Sequence, residues 1–154
     1  MKKILFVCTG NTCRSPMAAA LFNRMAASDL SGFGYEAVSA GTSAIQGGPP
    51  SPEAIAALKD YPGSSLDGFS SRMLDGASVR DAYLILTMTD NHKQYIRSMF
   101  PDAYHKVFTL KEYVYGIPGS IKDPFGGTLG DYRECAREIA AAIEVLAKKL
   151  KNQG

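Results

Sequence analysis

Lys3-Ile4-Leu5-Phe6-Val7-Cys8 runs directly into Thr9-Gly10-Asn11-Thr12-Cys13-Arg14-Ser15, and Pro16-Met17-Ala18 follows. After its lysine the first segment is a continuous apolar run, the pattern of a parallel strand covered on both faces. Ser15-Pro16 reads as a helix start, with serine as N-cap and proline at the first helical position, and the helix is expected to reach about Ser28. A strand, a short loop holding glycine and asparagine, and then a helix form the opening unit of an α/β fold. Ligands of such folds sit beyond the carboxyl ends of the strands.

The rest of the chain continues this alternation. Further strands are expected at Tyr35–Ala40, Ala82–Met88 and Lys106–Leu110. Ser51-Pro52-Glu53 repeats the helix-start signal, and another helix is expected from Asp90 to Phe100, stopping before Pro101. A short helical turn is expected around Ser71–Gly76. Tyr132, Ile139, Ile143, Leu146 and Leu150 form one apolar stripe at helical spacing, with Lys148, Lys149 and Lys151 complementing the dipole at its end.

With 154 residues, no linker and no repeat, residues 1–154 are expected to form a single domain. A hydrophobic share of 45% suffices for a packed core, and a net charge of +2 gives no support to binding of nucleic acid or an anionic membrane. No apolar stretch approaches the ~20 residues of a membrane span. The 3 cysteines lack the paired spacing of a secreted disulfide scaffold, so a reducing, cytoplasmic setting is expected. His92 and His105 have no metal-ligand spacing with each other or with the cysteines, and no metal or other cofactor is expected. His92 is expected on a helix surface, with the alternative that the loop ends bring it near the pocket. Cys135 and the tyrosines Tyr113, Tyr115 and Tyr132 are expected to serve packing. No nucleotide-binding G-x-x-x-x-G-K-[ST] run occurs.

The first loop carries the chemistry. Cys-x5-Arg arises by chance roughly 0.14 times in a chain of this composition, and about 0.01 times when serine must follow. A loop curling into a helix start points successive N–H groups inward and cradles an anion. Gly10 and Asn11 tolerate the left-handed backbone this requires, and Arg14 offers a planar fork of donors to a tetrahedral oxyanion. Cys8 lies beneath such an anion, where the same amides, dipole and guanidinium favour its thiolate. Ser15 can donate to that thiolate as well as cap the helix. Taken singly, Cys8 is a small core residue, Arg14 a surface charge and Ser15 a cap. Taken together they form a phosphate loop with a nucleophile aligned for in-line attack on phosphorus.

The segment Phe6-Val7-Cys8-Thr9-Gly10-Asn11-Thr12-Cys13-Arg14-Ser15-Pro16-Met17-Ala18 resembles the signature of the low-molecular-weight protein tyrosine phosphatase family. Ser39-Ala40-Gly41-Thr42 and Asp123-Pro124 match two further landmarks, and the resemblance spans nearly the whole chain. It implies a single-domain, flavodoxin-like fold with a four-stranded parallel sheet flanked by helices on both faces. It also implies a cysteinyl-phosphate intermediate and no metal. By this resemblance Cys8 is the nucleophile, Arg14 the phosphate clamp and Asp123 the general acid. Thr9, Gly10, Asn11, Thr12, Cys13 and Ser15 complete the phosphate-binding loop. Asp123 also stands out by position. The stretch from Tyr115 to Gly130 is rich in glycine and proline and shows no regular period, and long irregular stretches inside compact domains are commonly functional.

Two departures bear on substrate. Thr12 stands where tyrosine-specific members generally carry a bulky aliphatic residue, and Phe125-Gly126-Gly127 replaces the usual pair of aromatics after Asp-Pro. Both features resemble the bacterial protein-arginine phosphatase branch, as do Met88-Thr89, His92-Lys93-Gln94 and the stretch from Lys106 to Val114. The expected function is hydrolysis of phosphoarginine in proteins, with phosphorylated proteins as partners and a monomer expected. Asp123 supplies a carboxylate for the guanidinium, while Thr12 and Phe125 set selectivity as a polar contact and a stacking face. The alternative is action on phosphotyrosine. Arsenate reductases share the loop but need two further clustered cysteines, and only Cys135 follows Cys13. A redox role resting on a Cys8–Cys13 disulfide is expected as regulation rather than as the main activity.

Overall fold

A computed structural model describes residues 1–153. Four parallel strands, β1 (Lys2–Cys8), β2 (Tyr35–Gly41), β3 (Ala82–Thr87) and β4 (Val107–Thr109), pair in the order β2-β1-β3-β4. β1 is central, with Cys8 opposite Gly41 of β2 and Val7 opposite Thr87 of β3. Its alternating side chains feed two cores. Ile4, Phe6 and Cys8 pack on one face with α1 (Arg14–Ala26) and the 25-residue α6 (Leu129–Gln153). Leu5 and Val7 pack on the other face, with Val79 of α3 (Gly76–Asp81) and Ile96 of α4 (Asp90–Met99). A sheet buried on both sides needs apolar residues in every register, which is why β1 lacks the polar alternation of a one-faced strand.

Two further helices, six residues long like α3, are α2 (Pro52–Ala57), capped by the Ser51 side chain, and α5 (Leu110–Tyr115), closed by Gly116 in the left-handed conformation. No helix among the described residues is long and apolar enough to cross a membrane.

Several expectations need correction. α1 begins at Arg14 with Cys13 at the N-cap, so Ser15 does not cap it and Pro16 is the third helical residue. The Ser15 hydroxyl is engaged instead by Cys8 and Asn11. Residues 71–74 are not helical. Ser71 pairs with Gly48, Met73 bridges to Gly41, and the helix starts only at Gly76, after the Asp75 cap. β4 is shorter than Lys106–Leu110 because Pro101–Lys106 forms a 3-10 turn and Thr109 already caps α5. α5 was not expected at all, although Thr109 and Glu112 form a capping box.

His92 closes a capping box at the start of α4. The Thr89 hydroxyl accepts from the His92 N–H, and the imidazole accepts from the Thr89 N–H. The ring is buried rather than on the helix surface. That burial, reinforced by the Arg14 guanidinium and opposed by Asp123, lowers its pKa from 6.5 to about 4. The unfolded chain binds the proton near 6.5 and the folded protein only near 4. This part of the stability is therefore intact above pH 6.5 and lost as pH falls from 6.5 toward 4, by about 3 kcal/mol. Urea unfolding at pH 7.5 and 4.5 checks this: the loss of stability between them should shrink in His92→Gln, and an equal loss in both proteins would refute the assignment.

Candidate active site

The loop after β1 is held open by contacts from outside itself. Asn11 adopts φ 54, the only non-glycine with positive φ among the described residues, and its side chain is wholly buried. Its Nδ2 donates to Ser15 Oγ at 2.8 Å and to Ser39 Oγ at 3.0 Å, while its Oδ1 accepts from the Arg72 N–H at 2.8 Å. The loop carbonyls turn outward. Those of Cys8, Thr9 and Thr12 accept from the N–H groups of Thr42, Ser43 and Ser51, each at 2.9 Å. The opposite, N–H edge of the loop therefore faces its concavity, the arrangement that binds anions. Gly41 seals the arrangement from behind, since a Cβ there would run into the Thr9 carbonyl and the Asn11 nitrogen.

Cys8 is buried at the end of β1, and its Sγ lies 2.9 Å from Ser15 Oγ. The Ser15 oxygen already accepts from Asn11, and a thiolate has no proton to give. With Cys8 ionised, the Ser15 O–H is therefore the donor to sulfur.

Arg14 is only 4% exposed. Its Nη1 donates to the Ile121 carbonyl at 2.9 Å and its Nη2 lies 3.5 Å from Asp123 Oδ2. The Ile121 N–H in turn donates to the Met88 carbonyl at 2.7 Å, which fastens the segment carrying Asp123 to the residue that follows β3. Asp123 is half-exposed, and its Oδ1 accepts the Phe125 N–H at 3.0 Å in a tight turn over Pro124. The fold thus gathers the loop after β1, the guanidinium and this carboxylate at the carboxyl end of the sheet. A cavity of about 560 Å³ opens there, lined by Thr9, Arg14, Ser43, His92, Tyr95 and Asp123 among others. Thr12 is half-buried in the loop, and Phe125 projects into solvent, 85% exposed.

The three cysteines are free and buried. The Cys13 thiol is pushed well above its ordinary pKa, first by its hydrogen bond with the Cys135 thiol and then by burial, so it stays protonated. Cys135 donates to the Lys122 carbonyl at 3.8 Å and lies on the wall of a second cavity, beside Asp123. It is buried, as expected of a packing residue, but it packs against the site itself. Tyr132 is buried in the core and Tyr115 is partly exposed. No group of three or more metal-ligating side chains occurs among the described residues.

Several site contacts were not read from sequence. They are the Ile121 carbonyl, the Arg72 N–H, the role of Ser39 and the bond from His92 to Thr9. The match of Ser39-Ala40-Gly41-Thr42 to a family landmark was the available signal for Ser39. The backbone groups carry no sequence signature.

The description "Low molecular weight phosphotyrosine protein phosphatase" belongs to a family whose pattern matches residues 3–154. A protein-arginine-phosphatase of Bacillus subtilis is 44% identical over 148 residues, covering 96% of each chain. The solved YwlE arginine phosphatase from Geobacillus stearothermophilus superposes with a TM-score of 0.91 at 42% identity, covering 99% of this chain and 95% of that one. A YwlE arginine phosphatase variant with a phosphorylated active-site serine in place of cysteine superposes with a TM-score of 0.89 at 42% identity, over 97% and 95% of the two chains. The chain belongs to the low molecular weight phosphotyrosine protein phosphatase family.

Proposed function

We propose that this protein hydrolyses phosphoarginine in proteins, with Cys8 as nucleophile, Arg14 as phosphoryl clamp and Asp123 as general acid and then base. The observation that carries the reading is the bridge from Arg14 to Asp123, which stands a carboxylate over the loop that ends β1. The near full-length likeness to arginine phosphatases supports the substrate class.

In the first step the Cys8 thiolate attacks phosphorus while the P–N bond breaks, and Asp123 donates its proton to the departing guanidine nitrogen. The loop amides and Arg14 hold the equatorial phosphoryl oxygens, where charge accumulates. In the second step the Asp123 carboxylate takes a proton from water as the water oxygen attacks phosphorus and the S–P bond breaks. The Ser15 O–H stabilises the thiolate as it leaves. The phosphorylated serine that replaces cysteine in the YwlE relative supports a covalent intermediate of this kind. A phosphoguanidine is planar and cationic at its carbon, so a neighbouring carboxylate and an exposed aromatic face suit it. Before it gives up its proton Asp123 can accept a guanidine N–H on its carbonyl oxygen, and the carboxylate it then becomes faces the departing guanidine; Phe125 supplies the aromatic face.

Cys13 has a role compatible with this chemistry. Peroxide converts the Cys8 thiolate to a sulfenic acid; Cys13, which the Cys135 hydrogen bond and burial keep protonated, must pass its proton to the sulfenic hydroxyl, which leaves as water as the Cys8–Cys13 disulfide forms, and a reducing thiol reopens that bond.

Three measurements test these assignments. On paired peptides of one sequence, kcat/KM is expected to be higher for phosphoarginine than for phosphotyrosine, and a strong phosphotyrosine preference would overturn the substrate. Cys8→Ser should abolish turnover and Asp123→Asn should lower kcat about 100-fold, whereas Thr12→Ile should move the preference toward phosphotyrosine. After peroxide and then excess thiol, wild type should regain activity and Cys13→Ala should not; equal recovery would remove the guard role of Cys13.

A further inference from the structure

The cavity over Arg14 has a wall of mixed character, to which Thr9, Thr42, Ser43, Thr89 and Asn91 bring polar side chains. In that wall the Thr9 hydroxyl is oriented by a buried group. His92 Nε2 lies 2.8 Å from Thr9 Oγ1. The direction of this bond follows from the other edge of the ring. A backbone N–H can only donate, and the Thr89 N–H meets His92 Nδ1 at 3.2 Å, with Thr89 Oγ1 on the same nitrogen at 2.9 Å. Nδ1 therefore carries the lone pair and Nε2 the proton. His92 is 7% exposed and held neutral, so the tautomer is fixed by protein groups rather than by water.

His92 Nε2–H thus occupies one lone pair of the Thr9 oxygen. The second lone pair and the O–H remain for whatever fills the cavity. Thr9 follows the proposed nucleophile directly in sequence, and the cavity it lines also contains Arg14 and Asp123.

We propose that Thr9 Oγ1 is a substrate contact that accepts an N–H of the phosphorylated guanidine, and that His92 is a positioning residue for that contact. The inference rests on the phosphoarginine reading. A guanidine presents N–H donors along its planar edge, where an aryl phosphate presents only C–H. A site that offers a fixed acceptor favours the first and leaves the acceptor unmatched against the second. Thr9 is distinct from Thr12 and Phe125 in this role and acts from the opposite end of the phosphate loop.

The test is a double-variant cycle on the intact protein, read as the ratio of kcat/KM for phosphoarginine over phosphotyrosine peptides. Thr9→Val keeps the branched shape and should lower the ratio about 10-fold, the worth of one hydrogen bond. His92→Leu should lower it similarly, and His92→Gln, which keeps an N–H donor, should restore most of it. The Thr9→Val/His92→Leu pair should fall no further than either single change, because His92 acts through Thr9. An unchanged ratio in Thr9→Val, or losses that add in the pair, would overturn the proposal even with a wild-type preference for phosphoarginine intact. Wild-type protein without phosphoarginine turnover would overturn this inference and the functional reading together.

Discussion

One buried amide holds the site in shape. Asn11 sits in a backbone region that costs most side chains about 1–2 kcal/mol, and its side chain makes three hydrogen bonds that no water can replace. These bonds join the loop to the start of α1, to the end of β2 and to the segment leading into α3. Removing the amide would leave the Arg72 N–H and the Ser39 and Ser15 hydroxyls short of a partner, at about 1–3 kcal/mol for each unmatched group. The position of the Ser15 hydroxyl against Cys8 follows from the same network, since Asn11 donates to that oxygen and leaves its O–H for the sulfur.

The opposite wall is fixed differently. Arg14 is held by a carbonyl on one nitrogen and a carboxylate on another, so its fork is oriented by the protein alone. The Ile121 carbonyl that holds it belongs to an irregular segment, and that segment is fastened to the residue that follows β3 by a single backbone bond from the same residue 121. Residue 121 thus couples the placement of the guanidinium to the placement of Asp123 two residues later. Loss of order in this segment would misplace both groups at once, which gives the long irregular stretch a physical reason to be closely tied at one point.

Much of this was legible in the residues. The continuous apolar run of β1, the glycine and asparagine after it, and the Cys-x5-Arg-Ser spacing point to a phosphate loop on a parallel sheet, and the stripe from Tyr132 to Leu150 marks the long final helix. The misreadings have local causes. Ser15-Pro16 carries the usual helix-start signal, but the serine hydroxyl had a tertiary partner in Cys8, and that contact prevailed over capping. α5 is six residues long, too short to show a period, although its Thr-x-x-Glu cap was visible at Thr109 and Glu112. His92 looked like surface because periodicity reports only on its own helix, while its neighbours Thr9 and Arg14 come from the far end of β1. Carbonyl and amide partners such as Ile121 and Arg72 depend on where the chain passes, and any residue type supplies them.

The position of Gly41 gives the loop a further property. The strand end that presses against Thr9 and Asn11 belongs to a different part of the chain, as do the N–H groups that turn the loop carbonyls outward. The loop is therefore shaped by a mould with two halves, and residues 8–15 hold only one of them. Grafted onto another strand and helix, this octapeptide would carry every residue of the motif and still lack the counter-surface that gives it shape. The motif is portable as a word in sequence but not as an object in space.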